Sequence, residues 1–121
     1  MPSSLSKKRR ASFEQISQSI TSIRAYVEDM SFQAFEADEK TRSAVERKLQ
    51  IISEAAIRLG DHATEVCPKI AWADIRGMGN WLRHQYEHIQ VETLWQTINQ
   101  DLSSLEVAVL AALDVAAPMD D

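Results

Sequence analysis

The densest run of chemistry-bearing side chains lies between Trp72 and His88: Trp-Ala-Asp-Ile-Arg-Gly-Met-Gly-Asn-Trp-Leu-Arg-His-Gln-Tyr-Glu-His. On a helix each residue advances about 100°, so Arg76, Asn80 and Arg83 fall within roughly 60° of one another, with His84 at the edge of that face. Two fixed cations, an amide and a titratable imidazole suit a phosphate that is held while a neighbouring proton moves. His84 has the chemistry to take a 2′-hydroxyl proton, and an arginine to stabilise charge gathering on the phosphorus oxygens. The same four residues also fit a solvated helix face tied by surface salt bridges. Composition and spacing alone therefore support a helical bundle with an anion site.

Gly77 and Gly79 fall inside the predicted helix, where each costs roughly 1 kcal/mol relative to Ala. Close approach of another backbone or of a ligand is the usual reason. A phosphate loop is excluded for Gly77-Met78-Gly79, because no strand precedes it. His84 and His88, four residues apart, lack a third ligand, so no metal and no cofactor is expected. Trp72, Trp81 and Trp95 are expected to anchor the core or an interface. The single Cys67 excludes an internal disulfide and a cysteine zinc cage, and is expected to act as a small buried hydrophobe.

The elements that must position this segment are helical. The 121 residues suit one domain, and 45% hydrophobic with 26% charged residues is an ordinary globular balance. Phe13, Ile16, Ile20, Ile23, Val27 and Met30 form one stripe at steps of three and four, with Ser12 as a cap near the start. Ser31 to Asp38 breaks the stripe, and Asp38 caps a second helix carrying Val45, Leu49, Ile52, Ala56 and Leu59, which Gly60 ends. His62 to Lys69 reads as a loop or short helical turn. A third helix runs from Ala71 or Trp72 to about Glu87, and a last one from about Val91 carries Leu94, Ile98, Leu102, Leu105, Val109 and Leu113. Nothing alternates with period two. The fold class is all-α: an antiparallel bundle of four or five helices over residues 10–117, between a basic segment 1–9 and an acidic tail 118–121.

The net charge of −5 is uneven: residues 1–68 balance ten bases against ten acids, while residues 69–121 hold eight acids and only Lys69, Arg76 and Arg83. Any nucleic-acid binding must then come from a local basic site. The apolar stretch from Leu105 to Ala117 is interrupted by Glu106 and Asp114 and is too short to span a bilayer. Lys7-Lys8-Arg9-Arg10 is followed by no apolar run, so it is no secretory signal; a cytoplasmic protein without membrane contact is expected.

The stretch from Ile75 to Tyr86, followed by Val91-Glu-Thr-Leu-Trp95 and Asp101-Leu102, resembles the HepT-like branch of the HEPN superfamily. Phe35, Asp38, Thr41, Ala44-Val45, Leu49 and Ile51-Ile-Ser-Glu-Ala55 match it upstream, so the resemblance covers about residues 10–115. It implies a small dimerising helical bundle and a metal-independent endoribonuclease toxin, paired with a minimal nucleotidyltransferase antitoxin and cutting RNA at a composite dimer-interface site. It also implies His84 as general base or acid, Asn80 as the positioning polar residue, and Tyr86 as an acceptor of AMP from the nucleotidyltransferase. The family arginine falls on position 79, which here is Gly79. Arg76 and Arg83 flank that spot by one helical turn and are the candidates to replace it. The alternative is a catalytically degenerate subunit that binds nucleotide or its nucleotidyltransferase partner. The dimer is expected around the third helix, with Gly77 and Gly79 allowing close approach and Met78 or Trp81 filling the seam.

Overall fold

A computed structural model describes residues 6–84 and 91–116. Among them every regular element is helical: α1 (Lys7–Tyr26), α2 (Phe32–Ala37), α3 (Glu39–Leu59), α4 (Asp61–Val66), α5 (Trp72–His84), α6 (Val91–Gln96), a π-helical turn (Thr97–Asp101) and α7 (Leu102–Ala116). The all-α expectation is met. Four long pieces, with α6, the π turn and α7 forming one near-continuous rod, correspond to the four helices expected.

The stripe on α1 does what its spacing requires. Phe13, Ile16, Ile20 and Ile23 are fully buried, facing Val45, Leu49, Ile52 and Ala56 of α3 in one core. Side chains of this size each contribute roughly 1.5–3 kcal/mol when taken from water. The helix begins earlier than its apolar pattern suggests: Ser6, not Ser12, is the cap, and its hydroxyl accepts from the Arg9 N–H. Ser12 is buried in the first part of α1, where no orphan amide needs it.

Polar ties at both ends fix α1 antiparallel to α7. Arg10 donates to the Leu113 carbonyl at 3.2 Å, and Arg24 pairs with Glu106 at 3.0 Å. At the far end of α3, Arg58 donates to Gln15, so α1 and α3 are antiparallel as well. Gly60 takes φ +56° between α3 and α4, a backbone state that favours glycine, and it ends α3 as expected.

Two segments depart from the sequence reading. Residues 31–38 hold the one-and-a-half-turn helix α2, capped by Ser31, which drives Phe35 into the core against Trp95 with ring centroids 5.0 Å apart. A helix this short presents no repeat to detect; one buried aromatic holds it. The last helix is not regular either, since Thr97–Asp101 widens into a π turn where Asn99 Nδ2 donates to the Trp95 carbonyl at 2.8 Å. No described helix is long and apolar enough to cross a membrane.

Asp38 caps α3 as the sequence indicates, accepting from the Thr41 N–H at 3.0 Å and the Thr41 hydroxyl at 2.8 Å. These bonds, first the backbone one, hold its carboxyl below the usual range, with Lys40 and Arg42 adding to them. A carboxyl depressed by folding stabilises the native state above its unfolded pKa of about 3.9 and loses that contribution as pH falls through the lower folded value. Asp38→Ala is therefore expected to melt below the parent at pH 7, with the gap narrowing as the pH falls below about 3.9. A gap independent of pH in thermal melts contradicts the capping role.

Candidate active site

The residues singled out by chemistry all belong to α5 or follow it, so the site depends on what holds α5. Its start is anchored by Trp72, which is 2% exposed and donates its indole N–H to the Cys67 carbonyl at 2.9 Å. Cys67 is buried, its thiol pushed up by desolvation and directed at the Ala108 carbonyl, 3.5 Å away. A protonated, enclosed thiol is no nucleophile, in line with its expected packing role.

The middle of α5 is held by one side chain of α3. Ser53 is completely buried; its hydroxyl donates to the Arg76 carbonyl at 2.9 Å and accepts from the Gly79 N–H at 3.1 Å. This bridge requires α5 to lie very close to α3, and Gly79 permits it. A Cβ on Gly79 would stand 2.7 Å from Ser53 Oγ and 3.2 Å from Ser53 Cβ. The close approach at Gly79 is thus made within the chain, which corrects its expected use at a dimer seam. Gly77 has nothing within 4 Å of an added Cβ and remains open.

Trp72–His84 is helical, and α5 has two different sides. Met78, Trp81 and Ile75 line a largely apolar cleft of about 570 Å³ toward the π turn and α7, with Ile52 as part of its floor. Arg76, Asn80 and Arg83 do not line it. They belong to the other side, beyond the Gly79 contact with α3. Arg83 is exposed, yet its guanidinium folds back so that Nη1 is 3.6 Å from the place a Gly79 Cβ would occupy. Arg76 is partly buried, and its Nη1 is the one fully enclosed side-chain N or O without a hydrogen-bond partner among the described residues. A buried guanidinium N–H left unpaired is costly until a water, an ion or a ligand completes its bonding. Asn80 is exposed.

His84 is the last described residue of α5, with its backbone on the helix and its side chain outside what is described. Tyr86 and His88 lie outside the described residues, so the expected modification site and the His84/His88 pair are not part of this geometry. Among the described residues no group of three or more His, Cys, Asp or Glu side chains gathers as a metal site. Two residues escaped the sequence reading. Ser53 enters it only as a member of the Ile51–Ala55 run, with no role attached to its hydroxyl. Glu46 lies two turns before it on α3, within about 20° of the same face. Its carboxyl is raised mainly by burial, against the pull of Arg42.

Residues 16–112 match the sequence profile of the HepT-like ribonucleases. The chain belongs to the HepT-like ribonuclease family. A Thermococcus cleftensis protein named "Probable ribonuclease HepT" is 33% identical over 93 residues, covering 77% of this chain and 84% of that one. A relative from Caldanaerobacter subterraneus subsp. tengcongensis with a provisional RNase name is 32% identical over 103 residues, covering 85% and 92%. No solved structure matches the chain with significance.

In this HepT-like chain Gly79, the position where the resemblance leads one to expect an arginine, packs against Ser53. Alanine at 79 gains about 1 kcal/mol of helix propensity. It must also displace a hydroxyl that holds two hydrogen bonds, each worth about 1 kcal/mol, and over-packing costs typically 1–3 kcal/mol. Gly79→Ala is expected to destabilise by about 2–4 kcal/mol net. Ser53→Ala removes the nearest atom, so the double variant Ser53→Ala/Gly79→Ala should lose less than the two single losses summed. Strict additivity in denaturant melts contradicts the contact.

Proposed function

We propose that the chain is a metal-independent endoribonuclease in which Arg83 replaces the family arginine. The observation that supports this reading is the Arg83 guanidinium folded over Gly79, 3.6 Å from the vacated Cβ position. Arg76, with its unpaired Nη1, is the second cation available to phosphate oxygens. In the proposed reaction His84 takes the proton from a 2′-hydroxyl, and the 2′-oxygen attacks the adjacent phosphorus. The bond to the 5′-oxygen breaks, leaving a 2′,3′-cyclic phosphate, and the departing oxygen takes a proton from water or from a second His84. Arg83 and Arg76 stabilise the non-bridging oxygens as charge gathers there, and Asn80 orients the chain.

The protein would work as a homodimer. The seam we assign to it is the open side of α5, where Gly77 is unobstructed and Met78 and Trp81 line the apolar cleft. The partner in the cell would be a minimal nucleotidyltransferase acting as antitoxin. Transfer of AMP to the Tyr86 phenol would set a bulky anion beside Arg76, Arg83 and His84, blocking substrate by sterics and by charge. Intact-mass and native mass spectrometry of the protein co-expressed with such an enzyme checks both points. The expected species is a dimer with AMP on Tyr86; an unmodified monomer contradicts them.

The absence of arginine at 79 favours the rival reading, a non-cleaving subunit that binds nucleotide or the nucleotidyltransferase. Incubation with single-stranded RNA and with DNA of the same sequence, each with and without EDTA, separates the two. RNA alone should be cut, EDTA should have no effect, and His84→Ala should lose about 100-fold or more in rate. Intact RNA throughout establishes the rival.

A further inference from the structure

A second concentration of positive charge lies away from the α5 face. Lys8 and Arg9 of α1, Arg58 of α3 and His62 of α4 line one concavity of about 660 Å³, together with Ser6 and Gln15. Three helices contribute to it, and no carboxylate lines it among the described residues. On a chain of net charge −5, three fixed cations around one hollow are a marked local excess.

The hydrogen bonds there leave the charge standing. Arg58 donates to the Gln15 amide oxygen and Arg9 donates to His62 Nε2, both neutral acceptors. His62 Nδ1 in turn lies 3.1 Å from Glu65 Oε1, so that carboxylate is engaged by the imidazole rather than by an arginine. Arg10, by contrast, is neutralised by Glu14 at 3.3 Å. The first turn of α1 also holds no acidic residue, although the positive end of a helix dipole disfavours the cations gathered there. Uncompensated cations in a hollow, held in place by neutral partners and set where the backbone opposes them, call for an anion.

We propose that this concavity is a phosphate-binding subsite for the backbone of a polynucleotide, separate from the α5 face. It rests on the reading of the chain as an RNA-binding ribonuclease and extends it. Arg58 is five residues past Ser53 on α3, about 7.5 Å along that helix from the Ser53–Gly79 contact. No described residue of α5 lines the concavity. Such a subsite would hold RNA at a phosphate remote from the cut.

The test is fluorescence anisotropy with a labelled single-stranded 2′-O-methyl RNA, whose blocked 2′-oxygen lets the unaltered active protein be used. Lys8→Gln/Arg58→Gln changes two exposed side chains, and its melting temperature should match the parent. Its affinity is expected to fall about tenfold at moderate salt, and the slope of log K against log salt to shrink by about 1.4, or 0.7 for each lost phosphate contact. An unchanged affinity and slope overturn the subsite. Inorganic phosphate at millimolar concentration should not displace the RNA. If it does so in the parent and not in the variant, the hollow is a free-phosphate site and the polynucleotide assignment is overturned. The outcomes also separate this proposal from the nuclease reading: bound but uncut natural RNA removes the nuclease and leaves the subsite, whereas cleavage with unchanged variant binding does the reverse.

Discussion

One hydroxyl determines how the site-bearing helix sits. Ser53 reaches from α3 into the backbone of α5, donating to the Arg76 carbonyl and accepting from the Gly79 N–H. A buried side chain that satisfies a donor and an acceptor on a neighbouring helix fixes rotation and register together, because a turn or a slide of α5 breaks both bonds. The contact is short enough to forbid a Cβ at 79 unless Ser53 moves. Everything on the exposed side of α5 inherits its position from that contact: Arg76 directly, Arg83 by folding over the bare glycine, and the His84 backbone one turn beyond Asn80. Trp72, bonded to the Cys67 carbonyl, sets the height at which α5 begins. Gly79 and the buried Ser53 are two sides of one packing arrangement.

Charge is organised against the average of the chain. Eighteen acidic residues outnumber thirteen basic ones, so attraction of a polyanion has to be local. Local concentration occurs twice, in different physical forms. On α5 it is an arginine with an enclosed, unpaired nitrogen beside a second arginine lying over a glycine. At the start of α1 it is a hollow whose arginines bond to neutral partners. The apolar cleft on the opposite flank of α5 has neither character: Ile52, Met78 and Trp81 give it a surface suited to packing against protein.

Much of this was legible in the sequence, for reasons that differ by residue. Steps of three and four from Phe13 to Ile23 can only serve a helix with one buried side, and the same holds for Val45 to Leu59. Asp38 and Gly60 are written in local chemistry, a carboxylate that caps and a glycine at positive φ. The wheel positions of Arg76, Asn80 and Arg83 follow from 100° per residue once α5 is a helix. Helix α2 was not legible, because six residues give no period and its stability comes from Phe35 meeting Trp95, sixty residues away. The π turn was hidden because an extra residue per turn leaves composition unchanged. Gly79 announced a close approach but not its partner; that partner is Ser53, a long-range contact invisible to spacing. The hollow at α1 was half visible: Lys7-Lys8-Arg9-Arg10 stood out as a basic run, while Arg58 and His62 join it only through the antiparallel packing of α1 and α3.

The account rests on Arg83 serving as the phosphate-binding arginine, and single-turnover cleavage of RNA by Arg83→Gln, beside Arg83→Lys and the parent, tests it most directly. Arg83 is exposed and makes no ion pair among the described residues, so thermal stability should be unaltered while the glutamine variant loses about 100-fold or more in rate, the usual cost of removing one stabilising donor. Lysine, which keeps the charge but not the forked geometry, should recover part of that loss. An Arg83→Gln protein that cleaves RNA at the parental rate would contradict the account.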